Sequence, residues 1–262
     1  MNKLPASTGW LWIKQGVALF MKQPAGLTML VIAYSFLMQL LSIIPWVGPV
    51  AAMVLTPVFC IGFMRAYQGV EQQQRVTLNV LFEGFRSSAL PRLMTLGALY
   101  LAAMAVMMGI FALNLGDVMV QVQKQQVTPE AAMKQVDFGA LFFWLLVIGV
   151  PAGMAYLLAP MLIYWQQMKV GKALFFSFFT IWRSFRAYLV FQLCWVMLFM
   201  MVVQVLAMVF GANVTQMLVR ALLFPIALVL YQCASYCCYK HFFGAPSEQP
   251  LTSEKPPTEN LE

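Results

Sequence analysis

Ionisable side chains are missing from five long stretches of this chain and crowd into the gaps between them. No Asp, Glu, Lys, Arg or His occurs from Gln23 to Met64, Leu93 to Gly116, Phe138 to Met168, Ala187 to Val219, or Ala221 to Tyr239. Crossing the hydrocarbon core of a bilayer takes about 20 mostly apolar residues in a helix. The first stretch is about twice that length and breaks at Ile44-Pro45-Trp46-Val47-Gly48-Pro49, so it reads as two spans joined by a tight turn. Six transmembrane helices are therefore predicted, over 25–44, 47–64, 93–115, 138–163, 188–210 and 218–239. Charged residues make up 10% of the chain, against about 25% in soluble domains, which excludes a water-soluble fold. The prediction is an all-α integral membrane protein: one six-span domain over 1–243 and a disordered tail over 244–262. That tail has four prolines, four glutamates and almost nothing to bury.

The basic residues fall on one side of these spans. Lys3, Lys14 and Lys22 precede the first; Arg65, Arg75, Arg86 and Arg92 follow the second. Lys169, Lys172, Arg183 and Arg186 follow the fourth, and Lys240 and Lys255 follow the sixth. The other side has Lys124 and Lys134, with Arg220 just inside a span. Lys and Arg near span ends are retained in the cytoplasm, which places both termini there. The net charge of +7 is then topological, and no nucleic-acid partner is expected. The apolar run begins only near Ala25 and lacks an A-x-A-like site after it, so the start reads as an uncleaved first span rather than a signal peptide.

Each odd-numbered span is preceded by an amphipathic segment on the cytoplasmic side. Trp10, Ile13, Val17 and Phe20 share one helical face, Leu78, Leu81, Phe82 and Phe85 a second, and Leu174, Phe178, Ile181, Trp182 and Phe185 a third. Segments that are basic on one side and aromatic on the other lie flat at the headgroup level. The even-numbered spans carry Leu55-Thr56-Pro57, Leu158-Ala159-Pro160 and Leu223-Phe224-Pro225, where proline should kink the helix. Three parallel repeats of interfacial helix, straight helix and kinked helix are expected, over about 7–67, 77–167 and 172–240. Between the third and fourth spans, Thr128-Pro129-Glu130 is a helix start, with a short helix expected through Lys134.

Few residues suggest chemistry. Arg220 can snorkel to water from the outer end of its span or contact an anion. Cys233, Cys237 and His241 stand four residues apart on one helix face. With no CxxC pair and no second histidine, they read as helix packing rather than a metal site. Gly149 and Gly153 around Pro151 suit close helix packing, and the twenty methionines read as flexible filler. There is no intramembrane carboxylate or histidine for a proton relay, and no P-loop, zinc-protease or nucleophile-elbow pattern. The chain is expected to be no enzyme and to need no cofactor or metal.

The opening Gly9-Trp10-Leu11-Trp12 with Gly16, Phe20 and Pro24, then Pro57 and Gly62, resembles a family of uncharacterised beta-proteobacterial inner-membrane proteins. That resemblance covers most of the chain and implies the bacterial cytoplasmic membrane as its location. More loosely, the plan of interfacial helix plus hairpin is similar to the membrane domain of some glycerophosphodiester phosphodiesterases. Their catalytic domain has no counterpart here, so their activity is not implied.

Two functions fit these features. In the first, a cytoplasmic collar that includes Lys14, Lys22, Arg75, Arg86, Lys172 and Arg183 docks anionic lipid headgroups, and the protein scaffolds or modulates a membrane-protein partner or organises lipid. In the second, the kinked helices enclose a transport cavity, with Arg220 beside Tyr34, Gln39, Thr56, Gln192, Gln204 and Gln232. The first lets these polar side chains scatter among helix contacts; the second requires them to converge.

Overall fold

The computed structural model describes residues 4–124 and 136–246, whose regular structure is entirely helical. The order is α1 (Ser7–Lys22), α2 (Pro24–Ser42), α3 (Val47–Glu71), a 3-10 turn (Leu78–Phe82) running into α4 (Glu83–Arg86), then α5 (Leu90–Gln123). After the second described segment begins come α6 (Phe138–Trp144), a π turn (Leu145–Gly149), α7 (Val150–Trp165), α8 (Val170–Arg183) and α9 (Phe185–Leu218). A second π turn (Val219–Leu223) leads into α10 (Phe224–Phe243).

Five helices are long and apolar enough to cross a membrane: Pro24–Ser42, Val47–Glu71, Leu90–Gly116, Phe138–Trp165 and Phe185–Gly211. The twenty residues of α10 are less apolar, because Gln232, Ser235, Tyr236, Tyr239 and Lys240 interrupt them. Most of these face the protein interior. Helix α5 runs on past Gly116, where the sequence suggested a loop, because no proline or further glycine interrupts Asp117–Gln123. The helix expected from Thr128 through Lys134, and the tail beyond Pro246, lie outside the described residues. Helix α9 breaks at Gly211, whose φ of 77° is open to glycine and strained for other residues.

The prolines act in two ways. Pro57 and Pro160 are interior to α3 and α7. Pro225 is instead the second residue of α10, directly after a π turn, and Pro151 stands in the same relation to the π turn at Leu145–Gly149. Wider π winding makes room for a ring that would otherwise press on the carbonyl four residues back. Pro57 and Pro151 lie equally far from the ends of their helices at Glu71 and Trp165, whereas Pro160 is only about a turn from Trp165. The Leu-x-Pro motifs therefore mark different heights in the bundle.

Helices α3, α7 and α10 touch one another at the centre. Helix α2 packs on α3 and α10, and α5 on α3 and α7. Helix α9 reaches α10 through Phe191 and Tyr231, whose ring centroids are 5.3 Å apart. The core gathers at one end, around Trp12, Leu27, Leu30, Phe63, Tyr67, Leu93, Leu162 and Tyr236. That end also carries Lys22, Arg65, Arg92 and Lys240, and it is called the basic end below. Towards the other end Phe36, Met108, Leu113 and Met208 are exposed. Lipid tails are as apolar as these side chains, so nothing drives them inward.

Candidate functional site: the basic end

The short helices dock by their small residues. A Cβ on Gly16 of α1 would come within 2.7 Å of the Ala234 nitrogen in α10, and one on Gly84 within 2.2 Å of the Val58 carbonyl oxygen in α3. Gly62 of α3 returns the contact, facing the backbone of Leu81. In α8 the corresponding residue is Ser177, fully buried against α7. Its hydroxyl donates to the Met154 carbonyl (2.7 Å) and accepts from the Leu158 N–H (3.1 Å), inserting into the hydrogen-bond ladder of α7. Each short segment thus sits on one of the three central helices: α1 on α10, the 3-10 turn and α4 on α3, α8 on α7.

This docking divides the apolar faces differently from the sequence expectation. In α1, Trp12, Ile13, Gly16 and Leu19 are buried, while Trp10 and Val17 are exposed. In α8, Ala173, Ser177 and Ile181 are buried, while Phe175, Phe176, Phe179 and Trp182 are exposed. Close backbone approach selects the small-residue stripe for the protein side and leaves large aromatics outward. Between Leu78 and Arg86 a 3-10 turn and a single α turn replace the expected amphipathic helix, with Leu81 and Gly84 inward and Leu78 and Phe82 outward.

The six collar residues, Lys14, Lys22, Arg75, Arg86, Lys172 and Arg183, are all exposed. Lys14 lies over the Trp10 ring at 5.9 Å and Lys172 over the Phe176 ring at 5.6 Å. Gln23 donates to the Gln74 carbonyl (2.7 Å) and accepts from the Val76 N–H (3.2 Å). Those two bonds tie the loop holding Arg75 to the junction beside Lys22. Other basic residues serve the fold. Arg92 donates to the Gln167 carbonyl (2.6 Å) and to its side chain, capping the end of α7. Arg65 donates to Gln68 Oε1 at 2.7 Å, and Lys240 pairs with Glu71.

Among the described residues, two hollows are found at this end. One, of about 410 Å³, is lined by Gln15, Lys22, Glu71, Cys237, Lys240 and His241 among others. The other, of about 470 Å³, lies between α8 and the last turn of α10; Phe175, Phe176, Phe179 and Phe242 form its walls, and Thr180, Arg183, Ser184 and His241 its polar groups.

Among the described residues the proposed cavity side chains are dispersed, with Tyr34 beside Thr56 and packed on Phe59 and Phe63. Gln232 meets the Tyr67 hydroxyl at 3.4 Å, and Gln192 accepts from the Tyr231 hydroxyl at 3.2 Å. Gln39, Thr56 and Gln204 are exposed, and the Thr56 hydroxyl donates to the Ala52 carbonyl (2.8 Å). The side chain of Arg220 lies outside the described residues. Gly153 lies against the Tyr188 hydroxyl, 3.3 Å from where a Cβ would stand, so the Gly149/Gly153 step serves packing within the chain. Among the described residues no group of three His, Cys, Asp or Glu is placed to hold a metal ion.

Long apolar helices around a core with one basic end define a multi-pass α-helical membrane protein. The chain is similar to a probable inner membrane protein of Burkholderia thailandensis, 29% identical over 252 residues that cover 92% of this chain and 93% of the relative. No family model and no solved structure matches it. The apolar spans and this relative together support a multi-pass inner-membrane location. The likeness to the phosphodiesterase membrane domain gains no support from these comparisons.

Proposed function

We propose that this is a non-enzymatic inner-membrane protein whose basic end docks anionic lipid headgroups, and that it scaffolds or modulates a membrane partner or organises lipid. One observation carries the reading: the six collar cations are exposed, with Lys14 and Lys172 lying over the outward rings of Trp10 and Phe176, whereas Gln192 and Gln232 are engaged in hydrogen bonds between helices and Gln39, Thr56 and Gln204 are exposed. A cation near an anionic surface contributes about 1 kcal/mol, and aromatic rings settle at the headgroup level.

In this reading α10 is a sixth span, the basic end is cytoplasmic with both termini, and the short segments lie in the headgroup layer. Three parallel repeats account for the packing better than for the proline motifs. The second and third short segments each sit on the central helix preceding them, and α1 closes the ring by sitting on the last.

The test is co-flotation with phosphatidylglycerol and with phosphatidylcholine vesicles, comparing the wild type with a variant neutralised at Arg75, Arg86, Lys172 and Arg183. The variant should lose most of the preference for phosphatidylglycerol. An unchanged preference sinks the docking reading.

A further inference from the structure

We infer that the groove between α8 and the end of α10 is a binding site for one anionic glycerophospholipid. It would take an acyl chain between the phenylalanines and the phosphate at the rim formed by Thr180, Arg183 and His241. The inference rests on the lipid-docking reading above and gives it a single stoichiometric site.

Three features point to that ligand. The walls are aromatic and ordered by ring contacts: the centroids of Phe175 and Phe179 are 4.4 Å apart, and Phe242 packs on buried Trp12 at 5.8 Å. Such walls offer nothing to a free inorganic anion. The polar groups are donors or cations: Arg183, the Thr180 and Ser184 hydroxyls and His241, with Lys172 held over the Phe176 wall. Among the described residues no carboxylate lines the groove, in contrast to the neighbouring hollow, where Glu71 stands beside Lys22 and Lys240. A neutral chain needs no such rim, and an anionic amphiphile uses both parts. Third, about 470 Å³ falls within the roughly 300–1,000 Å³ typical of pockets that enclose most of a small ligand. At this end of the bundle the groove mouth meets the same lipid layer as the collar. Sequence beyond Pro246 carries Glu248, Glu254, Glu259 and Glu262 and is the competing occupant from within the chain.

The test is native mass spectrometry of the full chain released from nanodiscs of phosphatidylethanolamine with a minority of phosphatidylglycerol. Wild type should keep one phosphatidylglycerol, and Thr180→Gln, which adds bulk without charge, should keep it too. Thr180→Glu places an anion at the rim and should lower the retained fraction about tenfold, a difference of roughly 1.4 kcal/mol, with unchanged thermal stability as the folding control. Equal retention by Thr180→Glu overturns the site, and so does a full-length chain that retains no phosphatidylglycerol while a variant lacking residues 247–262 retains it. Either result leaves the collar standing if the co-flotation preference persists. Loss of that preference in the wild type is failure of the collar itself.

Discussion

Lys240, one turn from the end of α10, forms an ion pair with Glu71, the last residue of α3, and the Tyr236 hydroxyl donates to the same carboxylate at 3.0 Å. The two partners differ in what depends on them. The pair is partly exposed, and such pairs contribute about 0–1 kcal/mol. Tyr236 is buried, so losing its acceptor costs roughly 1–3 kcal/mol. Glu71→Ala should therefore destabilise the protein more than Lys240→Ala, read as thermal unfolding in detergent by circular dichroism. A larger loss for Lys240→Ala would show that the ion pair rather than the tyrosine dominates.

The same substitution should have opposite signs at two glycines. Gly16 lies against Ala234 with no room for a Cβ, whereas Gly109 in α5 has nothing within 4 Å. Gly16→Ala should cost about 1–3 kcal/mol through overpacking. Gly109→Ala should stabilise by about 0.5–1 kcal/mol by removing backbone entropy from a helix interior. Equal shifts in melting temperature would contradict the close packing of α1 on α10.

Those glycines also show how far the sequence could be read. Charge segregation located the apolar helices, because a buried charge in lipid is expensive whatever the packing. Apolar periodicity located α1 and α8 and put Trp10 and Trp182 on outward faces, where they lie; it put Ile13 and Ile181 on those faces too, yet both are buried on the protein side with Gly16 and Ser177. The spacing of Gly9 and Gly16, and of Ala173 and Ser177, was the signal available. The Leu-x-Pro motifs misled for a related reason: proline position depends on where local winding can absorb the ring, which the π turns before Pro151 and Pro225 decide. The groove joins residues far apart in sequence, and no local pattern announces it.

Ser177 offers a sharper test of docking than size alone. Its hydroxyl bridges Met154 and Leu158 inside the α7 ladder. In Ser177→Ala those two backbone groups can bond each other directly, so the loss should be about 1 kcal/mol. Ser177→Val adds volume where the side chain is fully buried and should cost about 1–3 kcal/mol more. A valine variant as stable as the alanine variant would mean that α8 is not held closely to α7.

The proposed orientation rests on thirteen Lys and Arg in segments flanking one set of expected span ends against two, Lys124 and Lys134, at the other. In that proposed orientation, with basic residues retained in the cytoplasm, the segment between α5 and α6 lies outside. Alkaline phosphatase inserted after Lys124 should be active. Green fluorescent protein fused after Glu262 should fluoresce, because it folds only in the cytoplasm in this assay. The second fusion also decides the standing of α10, the helix made less apolar by Gln232, Ser235 and Lys240. If α10 crosses, six spans return the chain to the cytoplasm. A dark C-terminal fusion alongside an active phosphatase insertion would leave five crossings, and would place the Glu71–Lys240 pair and both hollows at odds with the topology.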